Sequence, residues 1–228
     1  MESTIVSEIF PLFNAAETET LDWLLSVALE QDFAAGEKIL CDQSWGNAVY
    51  FIISGWVKAR RWYNEIPITL SIRGRGDFFG EGAILDEPPR TTEILALSDT
   101  QVISISAQRF IQTLFQDSQL HHKLLQITVR RLRQMDTRLQ LHHNPPVARL
   151  AYTLVTLAET YGKPTEDGME ILLIPEQDLA DISDLTLEET QKFLHKFQSK
   201  GWLEVNQEET TLSLTNIRQL NHLTAGSL

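Results

Sequence analysis

From Phe33 to Ser106 the chain never sustains an apolar run for long: Gly36, Gly46, Gly55, Gly74 and Gly76 cut it into short pieces. Short apolar runs with glycines marking the turns between them are the pattern of short strands. Ile39-Leu40, Val49-Tyr50-Phe51-Ile52-Ile53, Ile68-Thr69-Leu70-Ser71-Ile72, Glu93-Ile94-Leu95-Ala96-Leu97 and Val102-Ile103-Ser104-Ile105 read as strands. Many short antiparallel strands in one stretch predict a closed or sandwiched β-roll. Ahead of it, residues 5–32 place Phe10, Leu12, Phe13, Leu21, Leu24, Leu25 and Leu29 in a helical rhythm, so short helices are expected there.

From about Ala107 to His143 the pattern turns helical. Leu125, Thr128, Leu132, Met135, Leu139 and His142 alternate at spacings of three and four, an a/d seam suited to a second copy in a parallel dimer or to packing on the chain's own roll. Arg130, Arg131, Arg133 and Arg138 lie largely off that seam and read as a solvated face. Asn144-Pro145-Pro146 ends the helix and forms a hinge. Beyond it Val147, Leu150, Ala151, Leu154, Val155 and Leu157 restart helical spacing, and Glu170–Ile174 reads as a strand.

Pro175 through Ile182 opens a helix with proline and acids in its first turn. Thr186-Leu187-Glu188-Glu189 is a capping box opening a second helix that Gly201 closes. Leu179, Ile182, Thr190, Phe193, Leu194 and Phe197 form the expected buried faces. Strands at Trp202–Val205 and Thr210–Leu214 complete a winged helix-turn-helix.

The richest chemistry lies in Gly76-Asp77-Phe78-Phe79-Gly80-Glu81-Gly82, followed by Arg90-Thr91-Thr92. A short turn after Gly80 offers backbone N–H groups to an anion, and Arg90 adds a guanidinium fork nine residues after Glu81. Thr91 supplies a hydroxyl, and Glu81 suits a sugar hydroxyl donor. The plainer alternative is a tight turn at Gly80 and Gly82 with Arg90 paired to Asp86 or Glu87. The segment resembles the phosphate-binding cassette of cyclic-nucleotide-binding domains.

Taken together, almost the whole chain resembles the cyclic-AMP receptor/FNR (Crp/Fnr) family of bacterial transcriptional regulators. The resemblance implies an α+β chain in three parts. Residues 1–106 form a cyclic-nucleotide-binding-type β-roll sensor, 107–144 the long dimerisation helix and hinge, and 145–228 the winged helix-turn-helix. It implies a homodimer through residues 107–143 in which a cyclic nucleotide, cyclic AMP ahead of cyclic GMP, controls binding to double-stranded DNA. Gly80, Glu81, Arg90, Thr91 and Thr92 would hold the ligand, with Asp136 and Thr137 near the base. Gln177, Thr186, Glu188, Lys192 and Lys196 would face DNA. The chain departs from the pattern in four places. Asp184 stands where a glycine is usual, Leu187 where many members carry a guanine-reading arginine, Glu189 where a neutral hydroxyl facing phosphate is common, and the wing turn Gln207-Glu208-Glu209 is acidic.

The net charge of −12 works against long-range attraction to nucleic acid, and from Pro145 onward six Lys and Arg face thirteen Asp and Glu. A second function therefore competes: a Crp/Fnr-fold sensor or adaptor with weakened DNA binding that acts through a protein partner. No nucleophile–base pair, Walker motif or His-Glu-x-x-His is present, so no enzyme is expected. His121-His122 and His142-His143 make no chelate by spacing, a lone Cys41 gives no disulfide or thiolate cage, and no metal is expected. Trp23, Trp45, Trp56, Trp62 and Trp202 are scattered and read as core and shoulder residues. No apolar run reaches the ~18–20 residues of a membrane span. Met1-Glu2-Ser3-Thr4 lacks the basic start of a secretory signal, and a cytoplasmic location is expected.

Overall fold

Three apolar runs of the first half, at Val49–Ile53, Glu93–Ala96 and Val102–Ile105, become strands largely buried on both faces. The computed structural model describes residues 3–41, 47–85 and 92–225, so Arg90 and Thr91, with Met1, Glu2, Trp45, Gly46, Asp86 and Glu87, lie outside the described residues. It divides into one unit of residues 1–63 and 72–133 and a second of residues 64–71 and 134–228.

The first unit opens with α1 (Ser3–Ile9), a 3-10 turn at Phe13–Ala15 and α2 (Thr18–Leu25). Strands β1 (Leu29–Phe33), β2 (Lys38–Leu40), β3 (Ala48–Ser54) and β4 (Val57–Tyr63) follow. Then come β5 (Ile66–Arg73), whose last two residues fall in this unit, β6 (Phe78–Phe79), the short α3 (Gly82–Leu85), β7 (Glu93–Ala96) and β8 (Thr100–Ser106). Helices α4 (Ala107–Gln116) and α5 (Ser118–Leu141) come last. One antiparallel sheet runs β1-β8-β3-β6, while β7 pairs with β2 and β4 in another.

Alternation along β3, β6 and β8 sends neighbouring side chains to two different cores. Val49, Phe51, Phe78, Ile103 and Ile105 meet Val6, Phe10, Phe13, Leu21, Leu24 and Phe110 of the helices. Ile52, Phe79 and Val102 point the other way and meet Leu40, Val57, Ala59 and Ile94 inside the roll. A strand covered on both sides needs apolar residues at successive positions, which is why Val49–Ile53 reads as an unbroken run. Phe51 is fully buried, its ring 4.9 Å from Phe13, 5.5 Å from Phe10 and 5.6 Å from Phe78. Gly55 makes the turn out of β3 at φ +87°, where an added Cβ would lie 2.3 Å from the Asp99 carbonyl oxygen.

Three sequence expectations change. Leu29–Phe33 is not helical but the edge strand β1, paired with β8 from Leu29↔Ser104 to Phe33↔Thr100. Its sequence, Leu-Glu-Gln-Asp-Phe, is almost wholly exposed, so no alternation announced it, and backbone pairing alone makes the strand. Strands β4 and β6 were likewise unannounced. The helical stretch from 107 breaks at Asp117, whose carboxylate Oδ1 accepts the Gln119 and Leu120 N–H groups at 2.9 Å each and so starts α5 afresh.

The second unit contains residues 64–71, with β5 from Ile66 to Ser71, and the C-terminal end of α5 from Gln134. Next are α6 (Pro146–Tyr161), β9 (Lys163–Thr165), β10 (Gly168–Leu172), α7 (Glu176–Ser183), α8 (Leu187–Ser199), β11 (Glu204–Asn206), β12 (Thr211–Leu214) and α9 (Ile217–Ala225). The antiparallel sheet order is β11-β12-β10-β9. Leu179, Ile182, Thr190, Leu194 and Phe197 are buried as expected, and Phe193 is half-buried. Helix α9, absent from the sequence reading, packs on α6 and buries Leu220 completely. Among the described residues no helix is long and apolar enough to cross a membrane.

Glu93 anchors the strand that follows the cassette. It is 5% exposed and receives Lys38 Nζ at 2.6 Å and Arg60 Nε at 2.9 Å. Burial alone would raise its pKa, but hydrogen bonds from Lys38, Arg60 and Trp62 outweigh it and pull the carboxyl down to about 2. Two predictions follow from these packing facts. Phe51→Ala should cost about 3–5 kcal/mol in urea unfolding, because the surrounding rings cannot close the cavity. The Glu93 contribution is full above the unfolded carboxylate value of about 4.3 and is lost as pH falls toward the folded value. Glu93→Gln should therefore flatten the acid limb of the stability–pH curve below roughly pH 4.5, as thermal melts across pH would record.

Candidate ligand and nucleic-acid sites

The cassette begins where β6 ends. Phe78 and Phe79 fix the chain to β3 through the pairs Phe51↔Phe78 and Tyr50↔Phe79, and the Tyr50 and Phe79 rings stack at 5.3 Å. Gly80 then turns at φ +94°, a conformation that side chains rarely tolerate. Glu81 follows, its carbonyl accepting the Ile84 and Leu85 N–H groups at 3.1 and 3.0 Å. This sharp turn leaves the Glu81 carboxylate partly exposed beside the cassette.

Glu81 has a partner that spacing did not disclose. Arg131, on α5, reaches Glu81 Oε1 at 2.5 Å, pairs with Asp77, and donates to the Phe78 carbonyl at 2.9 Å. Its guanidinium also lies 4.3 Å from the Phe78 ring centre. Arg73 donates to the same Phe78 carbonyl and stands 3.9 Å from Glu81 Oε1. Two guanidinium groups and two carboxylates thus form one electrically balanced cluster. Arg131 therefore serves the cassette instead of a solvated face. Fifty residues separate Arg131 from Glu81, and no local pattern links them.

Of the residues expected at the ligand, the structure describes Gly80, Glu81 and Thr92 in the first unit, and Asp136 and Thr137 in the second. Thr92 is half-buried and directly precedes Glu93. On α5, Asp136 is exposed and Thr137 half-buried. Arg90 and Thr91 are outside the described residues.

In the second unit, α7 ends in a Schellman turn. Asp184 adopts the left-handed conformation at φ 55°, its N–H bonds Asp181 O, and the Leu185 N–H bonds Ala180 O. A glycine would make the turn at less strain, but Asp184 contributes a carboxylate that Arg149 Nη1 meets at 3.2 Å and His142 Nδ1 at 2.6 Å. His142 is thus engaged with the turn and not only placed on a helix seam.

Thr186 caps α8 in a full capping box. Its hydroxyl accepts the Glu189 N–H at 3.2 Å, and Glu189 Oε2 accepts the Thr186 N–H at 3.0 Å. The Thr186 backbone bond, then its hydroxyl, hold the Glu189 carboxyl below the usual range. Glu188, Lys192 and Lys196 fall four residues apart along one exposed side of α8, with Leu187 39% exposed at its start. Gln177 donates to Asp181 Oδ1 at 2.9 Å. In the wing, Asn206 Nδ2 holds Glu209 at 3.0 Å, and its Oδ1 accepts the Glu208 and Glu209 N–H groups. The turn is shaped by Asn206, and it stays acidic.

Comparison with known proteins covers both sites. The family model for the cyclic nucleotide-binding domain matches residues 30–117, and the Crp-like helix-turn-helix domain matches residues 148–223. The chain is 26% identical over 207 residues to the CRP-like cAMP-activated global transcriptional regulator of Mycobacterium tuberculosis, covering 89% of this chain and 92% of that protein. It is 27% identical over 193 residues to the cyclic AMP receptor protein of Thermus thermophilus, covering 84% and 87%. The structure of FixK2 from Bradyrhizobium japonicum shares the fold with a TM-score of 0.73 at 22% identity, covering 86% of this chain and 97% of that one. With a cyclic nucleotide-binding domain ahead of a Crp-like helix-turn-helix, the chain belongs to the Crp/Fnr family of transcriptional regulators.

Proposed function

We propose that this regulator is a homodimer in which a cyclic nucleotide, cyclic AMP ahead of cyclic GMP, binds the roll and controls DNA binding by the winged helix. Residues 1–106 act as sensor, 107–144 as dimerisation helix and hinge, and 145–228 as the DNA-binding domain, in a cytoplasmic protein. The observation that carries the reading is Glu81. Its carboxylate is held at the cassette by Arg131 through one oxygen, Oε1, and stands ready to receive a ribose hydroxyl. In this reading Gly80, Arg90, Thr91 and Thr92 would hold the phosphate, and Asp136 and Thr137 would serve the base. The named activity of the mycobacterial relative, activation by cyclic AMP, agrees with that ligand.

The dimer is supported by the exposed apolar edge of α5. Leu125, Leu132, Met135 and Leu139 of the expected seam are 53, 57, 63 and 71% exposed, at spacings of seven, three and four. Such a stripe repeats at the interval a parallel pair of helices buries. DNA binding would proceed through Gln177, Thr186, Glu188, Lys192 and Lys196, with two recognition helices reaching half-sites one turn apart. The acidity of the second half favours one competing reading, a sensor or adaptor that presents this face to a protein.

Calorimetric titration tests the ligand. Cyclic AMP should bind the wild type, and Glu81→Ala or Arg90→Ala should weaken it by about tenfold or more while the dimer persists in light scattering. Absence of heat with both cyclic AMP and cyclic GMP removes the ligand from this reading. Fluorescence anisotropy of a labelled duplex across a salt series tests the output. A log–log slope of about −0.9 per phosphate contacted, with tighter binding in cyclic AMP, is expected. Flat anisotropy at low salt from folded dimer selects the adaptor.

A further inference from the structure

Helix α8 turns one side to solvent, and that side runs in two columns spaced by four residues. One holds Leu187, Gln191, His195 and Ser199, the other Glu188, Lys192, Lys196 and Lys200. All but one of these side chains are polar. Leu187 is the exception: it is 39% exposed and opens the helix, a place where acids are ordinarily favoured. The other side of α8 supplies the core, with Thr190 and Phe197 fully buried and Leu194 nearly so. Leu187 thus keeps apolar surface in water that the packing of the second unit does not use.

The hydrogen-bonding groups around Leu187 are engaged within the unit. Thr186 Oγ1 accepts the Glu189 N–H at 3.2 Å and donates to Glu189 Oε2 at 3.1 Å. Gln191 Nε2 donates to Glu176 Oε2 at 2.7 Å, and Gln177 Nε2 donates to Asp181 Oδ1 at 2.9 Å. Each amide that could read an adenine edge therefore already holds an acid. At the far end of α8, Ser199 Oγ donates to the Lys196 carbonyl at 2.9 Å, and Lys200 Nζ lies 4.4 Å from the Trp202 ring centre. What α8 presents at its first turn is the isobutyl group of Leu187 beside the Glu188 carboxylate.

Helix-turn-helix docking brings the N-terminal residues of the second helix to base edges in the major groove. A leucine side chain neither donates nor accepts a hydrogen bond, so it discriminates by apolar contact alone. The apolar group that base pairs display in that groove is the thymine 5-methyl; guanine, adenine and cytosine present acceptors and amino donors there. Pressing leucine on one of those polar groups would strip its water without replacing the bond. We infer that Leu187 is a specificity-determining residue that packs on the 5-methyl group of one thymine in each half-site. The inference deepens the DNA-binding function proposed above and rests on it. One methyl group is buried per contact, which sets the discrimination at about fourfold per half-site.

Selection from a randomised duplex library by the full-length protein, with and without cyclic AMP, supplies the probe. Fluorescence anisotropy on the recovered duplex then reads the contact, with thymines replaced by deoxyuridine one position at a time so that only the methyl is lost. At one position in each half-site, deoxyuridine should weaken wild-type binding by about fourfold. Leu187→Ala should bind the thymine and deoxyuridine duplexes alike at that position, and Leu187→Met, which keeps an apolar tip, should retain the preference. Both variants change an exposed side chain and should melt as the wild type does. Wild-type binding that is indifferent to deoxyuridine at every thymine overturns the inference, and so does a preference at that position that survives in Leu187→Ala; either result leaves DNA binding standing. Recovery of no duplex by folded protein, with or without cyclic AMP, overturns the DNA-binding function and the role of Leu187 with it.

Discussion

Covering β3 and β8 on both faces is the constraint on which the first unit depends. Phe51 and Ile52 are neighbours in sequence and belong to separate cores, as do Phe78 and Phe79. Each core closes only if the other does, because the same two strands supply both. The helices before and after the roll are recruited for this reason: without Phe10, Phe13 and Phe110, the outer face of β3 would remain in water. The cassette inherits its position from this packing, since Phe78 and Phe79 are core residues and Glu81 follows them by two positions.

The charged cluster at Glu81 stands on that foundation. Arg131 rests over the Phe78 ring and bonds the Phe78 carbonyl, so an aromatic residue of the core also seats the guanidinium that holds the carboxylate. Its members are only partly buried, which keeps the desolvation cost modest. A carboxylate held at one oxygen is oriented without being consumed.

The acidity of the second half also has local causes. Asp178 and Asp181 bind β5, Asp184 makes the turn, Glu189 completes the cap, and Glu209 is tied into the wing by Asn206. Most of these donors are neutral, so the charges are ordered without being cancelled. The field opposing DNA therefore persists, against two lysines on the exposed side of α8.

Local chemistry alone determined much of this protein. Glycine spacing and short apolar runs announced the roll, Pro145-Pro146 the break before α6, Thr186 with Glu189 the start of α8, and Gly201 its end. These signals are legible because each acts within a few residues. The order of roll, long helix and winged helix was legible for the same reason, and it carried the family. Tertiary structure decided what depends on distant partners. Strand β1 exists because β8 has an edge to pair, although Leu29–Phe33 shows no alternation. Asp117 splits the helical stretch because two N–H groups converge on its carboxylate. Arg131 meets Glu81, Arg138 meets Leu70 and Asp181, and Thr69 meets Asp178 across separations of 43 to 109 residues. Hydrogen bonds of that reach leave no periodicity in a sequence, because the fold, and not the spacing, brings donor and acceptor together.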